Sequence, residues 1–268
     1  MGYRTRVMEN MVDTSKEITP GRGILSVTSI NLPRIGIKNG TSLNGKANLN
    51  GFFQELEEKL DLVKDQLLER FEMQCSKKVY NFPFLLGQAL WIDSEKLKET
   101  DNLKKVLKQG TMSIGFTGLA ECLKALTGKH HGESKEAQEL GLKIISFMRE
   151  KCDKYSEKYN LNFSLTATPS GNLSTDLIQM DQAIYGKIKN ITDKEIYTDS
   201  FQLPKGYKIS AEKKIEIEAP YHKLTNGGHI TEINLPEDAI LSDFMKILEV
   251  MKKNDIGCCT ISKMKVDN

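Results

Sequence analysis

The 268-residue sequence lacks several patterns that would place it in a specialised class of protein. It has no run of 18 apolar residues, and its first residues do not show the charged-then-apolar pattern of a signal peptide. We therefore expect a cytoplasmic protein without a membrane partner. The formal net charge is only +2, from 38 basic and 36 acidic residues, which argues against nucleic acid as a partner. No internal repeat or low-complexity linker divides the chain, so we expect one domain, or part of one.

The cysteines also lack a recognisable framework. There are five, at positions 75, 122, 152, 258 and 259, and no C-x-x-C pair is present. An odd number at scattered spacing is typical of reduced thiols rather than of disulfides or a zinc site. We expect most of them to be buried by packing.

Segments rich in β-branched residues alternate with long amphipathic helices. Strands are predicted from residue 24 to Pro33, over 112–117, over 162–167, over 229–235 and over 256–262. Helices are predicted over 51–74, from Gly118 through 125, over 135–158 with Ser134 as the N-cap, and over 239–251. Less regular patterns predict a short strand at 82–87, an edge strand at 215–218 and a loop-rich segment over 181–197. This alternation predicts an α/β fold with covered parallel strands.

Two adjacent histidines stand out in the polar segment 127–134. His130 and His131 have no third ligand at helical spacing, so the pattern favours a solvated loop or a partner-facing turn over a metal site. A metal hydrolase that also uses His222 and His229 is a further alternative, but these histidines show no recognisable ligand spacing. We expect no metal in this chain.

The stretch from Thr166 to Ile230 has the composition of a polar site at strand ends. Its two ends, 166–174 and 219–230, combine Pro and Gly with hydrogen-bonding side chains next to apolar runs. Plain turns have the same composition, so that alternative stays open. Asn31 also lies at a predicted strand end, where it could contact a ligand or satisfy a turn backbone.

Seven short stretches resemble, in order, the sequences of one enzyme family. They are 1–7 (MGYRTRV), 29–35 (SINLPRI), 114–121 (IGFTGLAE), 126–133 (LTGKHHGE), 166–169 (TATP), 197–201 (YTDSF) and 219–230 (APYHKLTNGGHI). The family is that of the anaerobic (class III) ribonucleoside-triphosphate reductases. The resemblance extends over essentially the whole chain.

The resemblance implies a partial ten-stranded α/β barrel of the glycyl radical enzyme type. It also implies that 1–268 form the C-terminal part of the catalytic barrel, without the family's regulatory cone, zinc module and radical glycine loop. In the family, a radical S-adenosylmethionine activase installs the glycyl radical, a cysteine on a loop in the barrel carries a thiyl radical, and the 2′-hydroxyl of the substrate ribose is removed. Expected partners are thus a ribonucleoside triphosphate, an activase or a complementary reductase chain.

The sequence departs from the family pattern at chemically important positions. Tyr3 stands where the resemblance places the thiyl cysteine, so no catalytic residue is intact and the chain is expected to be inactive alone. The family commonly has Glu, Gly, Gly and Arg where this chain has Gly171, Asn172, Thr175 and Asp176, and the last change reverses a charge. The alternative is a non-catalytic nucleotide-binding or interaction protein that pairs with a full-length reductase.

If the site is retained, particular residues are expected to contact substrate. Asn31 would contact the ribose, and the backbone of Ala167, Thr168, Pro169 and Ser170 would bind phosphate through N–H groups. The floor of the pocket would be formed by Asn226, Gly227 and Gly228.

Overall fold

A computed structural model describes residues 6–16, 20–41, 45–168, 171–256 and 258–264. The strands are β1 Ile24–Asn31, β2 Thr111–Thr117, β3 Asn162–Ala167, β4 Thr231–Pro236 and β5 Cys259–Met264. The helices are α1 Leu32–Asn39, α2 Leu49–Cys75, α3 Lys104–Leu107, α4 Leu119–Thr127, α5 Lys135–Tyr159, α6 Gly171–Tyr185, α7 Ala211–Leu224 and α8 Leu241–Lys253. None of these helices is both long and apolar enough to cross a membrane.

The main sheet consists of three parallel strands in the order β1-β2-β3. A second pair, β4 and β5, is also parallel. Backbone bonds place the segment that leads into β4 beside β3, because Gly227 N–H donates to Leu165 O at 2.8 Å and Ala167 N–H donates to Gly228 O at 2.9 Å. This architecture confirms the predicted α/β class with parallel strands, while the ten-strand count stays a prediction.

The two faces of the main sheet have different compositions. Side chains alternate along each strand, so one face carries Ile114, Phe116 and Leu165 and packs on α2, α4 and α5 in the main core. The other face carries small polar residues, among them Ser29, Ser113, Ser164 and Thr166, which are in register across the strands. A sheet with an apolar back and a polar front can support a binding site on the front without weakening its core.

The helix α2 covers the outer edge of β1. In the described sheet β1 pairs only with β2, so alternate carbonyls of β1 point away from β2. Gln74 Nε2 donates to Leu25 O at 3.1 Å, and Arg70 Nη1 donates to Val27 O at 3.3 Å and to Thr28 Oγ1 at 2.8 Å. Side chains from α2 thus occupy acceptors that another strand would otherwise use.

Most predicted elements are confirmed. The strand that begins at Ile24 ends at Asn31, where Pro33 enters the first turn of α1. Ser134 is the N-cap of α5, since its side chain accepts from Ala137 N–H at 3.1 Å. A strand and a helix follow in the predicted order at 111–127.

The predicted edge strand at 215–218 is wrong, because these residues lie within α7. Ile215, Glu218, Ala219 and His222 are buried together on one side of that helix, at spacings of three and four. The alternation of Ile and Glu over four residues therefore coincides with part of a helical stripe. A second helix, α6, was missed and covers the first part of the segment predicted to be loop-rich.

Two further predictions are wrong. Residues 82–87 form consecutive turns rather than a strand, with Phe84 exposed. The segment with His130 and His131 is not a solvated loop, because both side chains are buried. His131 Nε2 lies 2.8 Å from Phe201 O, and the Tyr207 hydroxyl donates to the carbonyl of Gly132, so a later loop covers this segment.

Candidate functional site

The polar front of the sheet is formed by hydroxyl groups that meet above a glycine. Ser29 Oγ on β1 lies 2.8 Å from Thr168 Oγ1, just after β3, although β2 runs between them. Gly115 on β2 permits this contact, because a Cβ atom there would overlap the Thr168 hydroxyl and lie 2.5 Å from Ser29 Oγ. Thr166 lies beside Gly115 in the register, and its buried hydroxyl has no hydrogen-bond partner. Such an unpaired buried hydroxyl is a candidate contact for a ligand.

The turn before β4 borders this front. Asn226 Oδ1 accepts from Leu165 N–H at 3.0 Å, so the side chain extends the backbone pairing with β3. Gly227 approaches the polar front so closely that a Cβ atom would overlap Thr166 Oγ1 and lie 2.6 Å from Ser164 Oγ. Only a glycine therefore fits here without displacing the β3 hydroxyls.

The first described segment of the chain, 6–13, lies along the polar side of the sheet. Arg6 N–H donates to Gly227 O at 2.9 Å, and Met11 N–H donates to Asn162 Oδ1 at 2.8 Å. Asn162 Nδ2 in turn donates to Asn10 Oδ1 at 3.2 Å. The segment thus runs from the turn before β4 to the start of β3, and it delimits the polar front on a second side.

A buried carboxylate lies beside the end of β1. Asp181 on α6 accepts hydrogen bonds at Oδ2 from Asn31 Nδ2 at 2.7 Å and from the Tyr197 hydroxyl at 2.8 Å. Its Oδ1 accepts from Arg34 Nε at 2.5 Å. Asp181 is fully buried, whereas about a third of Arg34 is exposed, so the carboxylate joins three chain segments within the protein.

A second buried carboxylate fixes the loop that carries Tyr197. Glu121 on α4 accepts from Thr198 Oγ1 at 2.6 Å and from Thr198 N–H at 3.2 Å, and its Oε1 forms an ion pair with Lys194 at 3.0 Å. The same loop satisfies N–H groups at the start of α4, because Gly118 N–H donates to Thr198 O at 2.9 Å. Gly118 has a φ of +73°, and its Cβ position would overlap the ring of Pro33 on α1.

A polar cluster lies behind the turn that precedes β4. His222 Nε2 is 2.9 Å from Thr231 Oγ1, and Glu218 Oε1 accepts from Leu203 N–H at 2.8 Å. Burial lowers the pKa of His222 to about 3 and that of His229 below its ordinary value, and it raises the pKa of Glu218. Both imidazoles are therefore neutral near pH 7, and their hydrogen bonds tie α7 to the start of β4.

The cysteines lie away from the polar front. Cys75, Cys122 and Cys152 belong to α2, α4 and α5 in the main core, and burial raises the pKa of each thiol, to about 11 for Cys75. Cys258 and Cys259 are half-buried in the region of β5. Within the described part of the chain, no group of three or more His, Cys, Asp or Glu side chains is arranged to hold a metal ion.

The structure brings most of the predicted contact residues to the edge of the sheet that is formed by the carboxyl ends of β1, β2 and β3. Asn31 ends β1 and caps α1 through Oδ1, which accepts from Arg34 N–H at 3.2 Å. Of its two predicted roles, the structure therefore shows the one in which it satisfies the backbone of a turn. Ala167 and Thr168 lie at the end of β3, opposite the turn formed by 226–228. Tyr3, Pro169 and Ser170 lie outside the described residues. Whether this edge binds a nucleotide stays a prediction.

Sequence reasoning missed the two residues that organise the edge. Asp181 lies in a segment without clear periodicity, because α6 buries Ser174 and Asp181 with only Ile178 between them. Tyr197 belongs to a stretch with a family resemblance, which was the only available signal for it. Nothing in the sequence indicated that these two side chains meet.

Comparison with known proteins identifies the family. A protein-family model described as anaerobic ribonucleoside-triphosphate reductase matches residues 1–266. The chain belongs to this family. The predicted recognition is confirmed, and the seven matching stretches include those that end β1, begin α4, end β3, supply Tyr197 and form the turn before β4.

Curated reductases are identical to the chain at about a third of the aligned positions. The anaerobic ribonucleoside-triphosphate reductase of Salmonella typhimurium is 33% identical over 235 residues, which are 86% of this chain and 32% of the relative. That of Enterobacteria phage T4 is 31% identical over 241 residues, or 88% of this chain and 37% of the relative. The chain thus spans about a third of the length of these relatives.

Solved structures show the same fold. The anaerobic ribonucleotide reductase of Thermotoga maritima in complex with dATP and CTP has a TM-score of 0.66 and 19% identity over 89% of this chain and 37% of that one. The structure of that enzyme with glycerol in the active site has a TM-score of 0.65 and 20% identity, over 89% of this chain and 36% of that one. The described architecture therefore resembles part of the reductase fold.

Proposed function

We propose that the chain binds a ribonucleoside triphosphate at the carboxyl ends of β1, β2 and β3, as part of the catalytic barrel of an anaerobic reductase. One observation carries the proposal: separate family stretches converge at this edge, around the unpaired, buried hydroxyl of Thr166. Ligands of parallel α/β sheets commonly bind outside the carboxyl ends of the strands. The Thermotoga maritima relative, which forms a complex with CTP, supports this class of ligand.

The phosphates would bind where β3 leads into α6. This helix begins at Gly171, four residues after the end of β3, and the N–H groups of a first helical turn have no partners within the helix. The N–H of Ala167 is not available, because it donates to Gly228 O at 2.9 Å. Together with the backbone N–H of Thr168, the N–H groups of the first helical turn would form an anion site. Asp176 is exposed on the second turn, and its negative charge would weaken the attraction to phosphate.

The ribose would contact Asn31, and titration calorimetry with CTP and dCTP tests this. We expect the wild-type chain to bind CTP more tightly than dCTP, by three- to ten-fold, which corresponds to about 0.6–1.4 kcal/mol and is the worth of one neutral hydrogen bond. The variant Asn31→Ser keeps an N-cap side chain for α1 but removes the amide. It should bind CTP and dCTP equally, and its thermal midpoint should fall modestly, because the buried Asp181 carboxylate loses the Asn31 donor.

Two results would contradict the proposal. If the wild-type chain binds neither nucleotide at millimolar concentration, there is no nucleotide site. If Asn31→Ser keeps the wild-type preference for CTP, Asn31 does not contact the ribose.

The chain alone is proposed not to reduce the nucleotide. In this family resemblance Tyr3 takes the place of the thiyl cysteine, and a phenol does not provide the thiol that hydrogen abstraction requires. None of the five cysteines lies on the polar front of β1–β3, as described above. When the chain is incubated with an activase, S-adenosylmethionine, formate and CTP, we expect no dCTP in the reaction mixture. Formation of dCTP would refute this part of the proposal.

A second candidate is a non-catalytic partner of a full-length reductase. It is favoured by the departure at Tyr3, which stands where the family resemblance places the thiyl cysteine. Analytical ultracentrifugation of the chain with a purified full-length reductase should then show a complex of fixed stoichiometry. Independent sedimentation at micromolar concentrations would exclude a stable partnership.

A further inference from the structure

We infer that Asp181 is a positioning residue, which fixes the orientation of the Asn31 amide and thereby the preference of the site for a ribose that carries a 2′-hydroxyl. The inference rests on the proposed function, because it assigns a cause to the ribose contact of Asn31. Asp181 lies on α6, 150 residues after Asn31 in the sequence.

The geometry determines which end of the amide faces which neighbour. Asn31 Nδ2 donates to Asp181 Oδ2 at 2.7 Å, and Asn31 Oδ1 accepts from Arg34 N–H at 3.2 Å. An ionised carboxylate can only accept, and a backbone N–H can only donate. A flipped amide would direct its oxygen at the carboxylate and its NH₂ group at the N–H, so both contacts would become repulsive.

The fixed amide keeps capacity for a ligand. An amide nitrogen has two N–H bonds and an amide oxygen has two lone pairs. Asp181 uses one N–H of Asn31, and Arg34 N–H uses one lone pair. One donor and one acceptor thus remain on Asn31 at the carboxyl end of β1, and they can pair with a hydroxyl group, which both accepts and donates.

The position of Asp181 is itself determined by its neighbours. The Tyr197 hydroxyl donates to Oδ2 at 2.8 Å, and Arg34 Nε donates to Oδ1 at 2.5 Å and supplies the opposite charge. Burial, and then the charge of Asp181, raise the pKa of Tyr197, so the phenol keeps its proton and remains a donor. Glu121 holds the loop that delivers Tyr197. The carboxylate therefore has a fixed place relative to β1.

The variant Asp181→Asn tests the role with little change in shape. An Asn at 181 can direct either its oxygen or its NH₂ group at Asn31, so the orientation of the Asn31 amide is no longer imposed. We expect the three- to ten-fold preference for CTP over dCTP, the worth of one hydrogen bond, to fall to less than two-fold, mainly through weaker binding of CTP. The matched control is Tyr197→Phe, which removes another hydrogen bond from the same carboxylate. Its ion pair with Arg34 and its contact with Asn31 remain, and these two contacts suffice to hold the carboxylate facing the Asn31 amide.

The outcomes separate this inference from the proposed function. Loss of the preference in Asp181→Asn, with the preference kept in Tyr197→Phe, supports the positioning role. If Asp181→Asn keeps the wild-type preference, the positioning role is refuted and the nucleotide site stands. If wild type shows no binding of CTP, both fail. If both variants lose the preference equally, a general loosening of the site explains the effect and the specific role of Asp181 is refuted.

Nuclear magnetic resonance of the wild-type chain provides a readout that does not require the variant to fold. The two side-chain amide protons of Asn31 have separate resonances, as in any primary amide, and the proton bonded to the Asp181 carboxylate should lie further downfield than the other. Addition of CTP should shift the other proton strongly and the bonded proton little, whereas dCTP should shift neither strongly. Equal movement of both protons with CTP would overturn the inference.

Discussion

Gly115 is the smallest residue of the candidate site and the one with least room for change. Gly115 lies in β2 beneath the hydrogen bond between Ser29 and Thr168, and a methyl group at this position would overlap the Thr168 hydroxyl. Overpacking of a buried site typically costs about 1–3 kcal/mol. Gly115→Ala should therefore lower the free energy of unfolding by about 1–3 kcal/mol in urea titrations and weaken CTP binding.

A matched control exists at the start of the same sheet. Gly23 precedes β1, and a Cβ atom there would meet only the Trp91 ring, at an ordinary 3.4 Å. Gly23→Ala should change stability and binding little. The steric argument fails if the two variants unfold at the same urea concentration.

The buried histidines make stability dependent on pH. Burial lowers the pKa of His131 and of His222 to about 3, from an ordinary value of 6.5. Between these values the unfolded chain binds protons that the folded chain does not. Each neutral imidazole thus makes its full contribution to the free energy of unfolding above pH 6.5. This contribution is lost as the pH falls toward 3, by up to about 1.4 kcal/mol per pH unit. Glu218 has the opposite effect on stability: because burial raises its pKa, its contribution is lost as the pH rises.

The variant His222→Gln isolates one of these groups. It should be less stable than wild type near pH 7, since the contact with Thr231 changes. Its loss of stability between about pH 6 and about pH 4 should be smaller than that of wild type, by up to roughly 1.4 kcal/mol per pH unit. Urea unfolding at several pH values measures both slopes, and equal slopes would show that His222 does not titrate as described.

At the scale of elements, the helix α2 protects β1 from unwanted pairing. Arg70 donates to Val27 O and Thr28 Oγ1 along the outer edge of the strand. Arg70→Met keeps an unbranched apolar stem but removes these donors, so we expect a loss of about 1 kcal/mol and greater aggregation through the exposed edge. Light scattering during storage at high protein concentration measures the aggregation.

Lys59 supplies the comparison on the same helix. It is exposed, and Lys59→Met likewise replaces one cation by a thioether. If Lys59→Met aggregates as fast as Arg70→Met, the lost charge rather than the open strand edge is responsible.

The elements with regular apolar spacing could be predicted from the sequence, and those with polar buried faces could not. The seven buried apolar residues of α2, from Phe52 to Cys75, recur every three or four positions, and this long helix was predicted nearly to its ends. In α6 the buried positions include Ser174 and Asp181, so hydrophobic periodicity is absent although the helix forms. In α7, Pro220 and a short alternation of Ile and Glu obscured the helical pattern. Tertiary contacts, which the sequence does not display, decide these cases.

At the scale of the whole molecule, the candidate site also combines features that a local sequence pattern predicts with features that only tertiary contacts determine. Asn31, Ala167, Thr168 and the turn 226–228 could be placed at strand ends from their composition and from family resemblance. Their mutual proximity depends on the order β1-β2-β3 and on hydrogen bonds between residues far apart in the sequence, such as that from Leu165 N–H to Asn226 Oδ1, 61 positions away. The role of Asp181 depends on the packing of α6 against the end of β1, for which no local pattern exists.

The central claim about the whole molecule is that a nucleotide binds where these strands end. Hydrogen–deuterium exchange with and without CTP tests it most directly, because it locates binding without any substitution. We predict slower exchange in peptides that cover Asn31, the end of β3 with the start of α6, and the turn 226–228, and unchanged exchange in the cleft between Tyr207 and β4, which is lined by Lys208 and Lys214. Slower exchange confined to that cleft, or no change anywhere at millimolar CTP, would contradict the account.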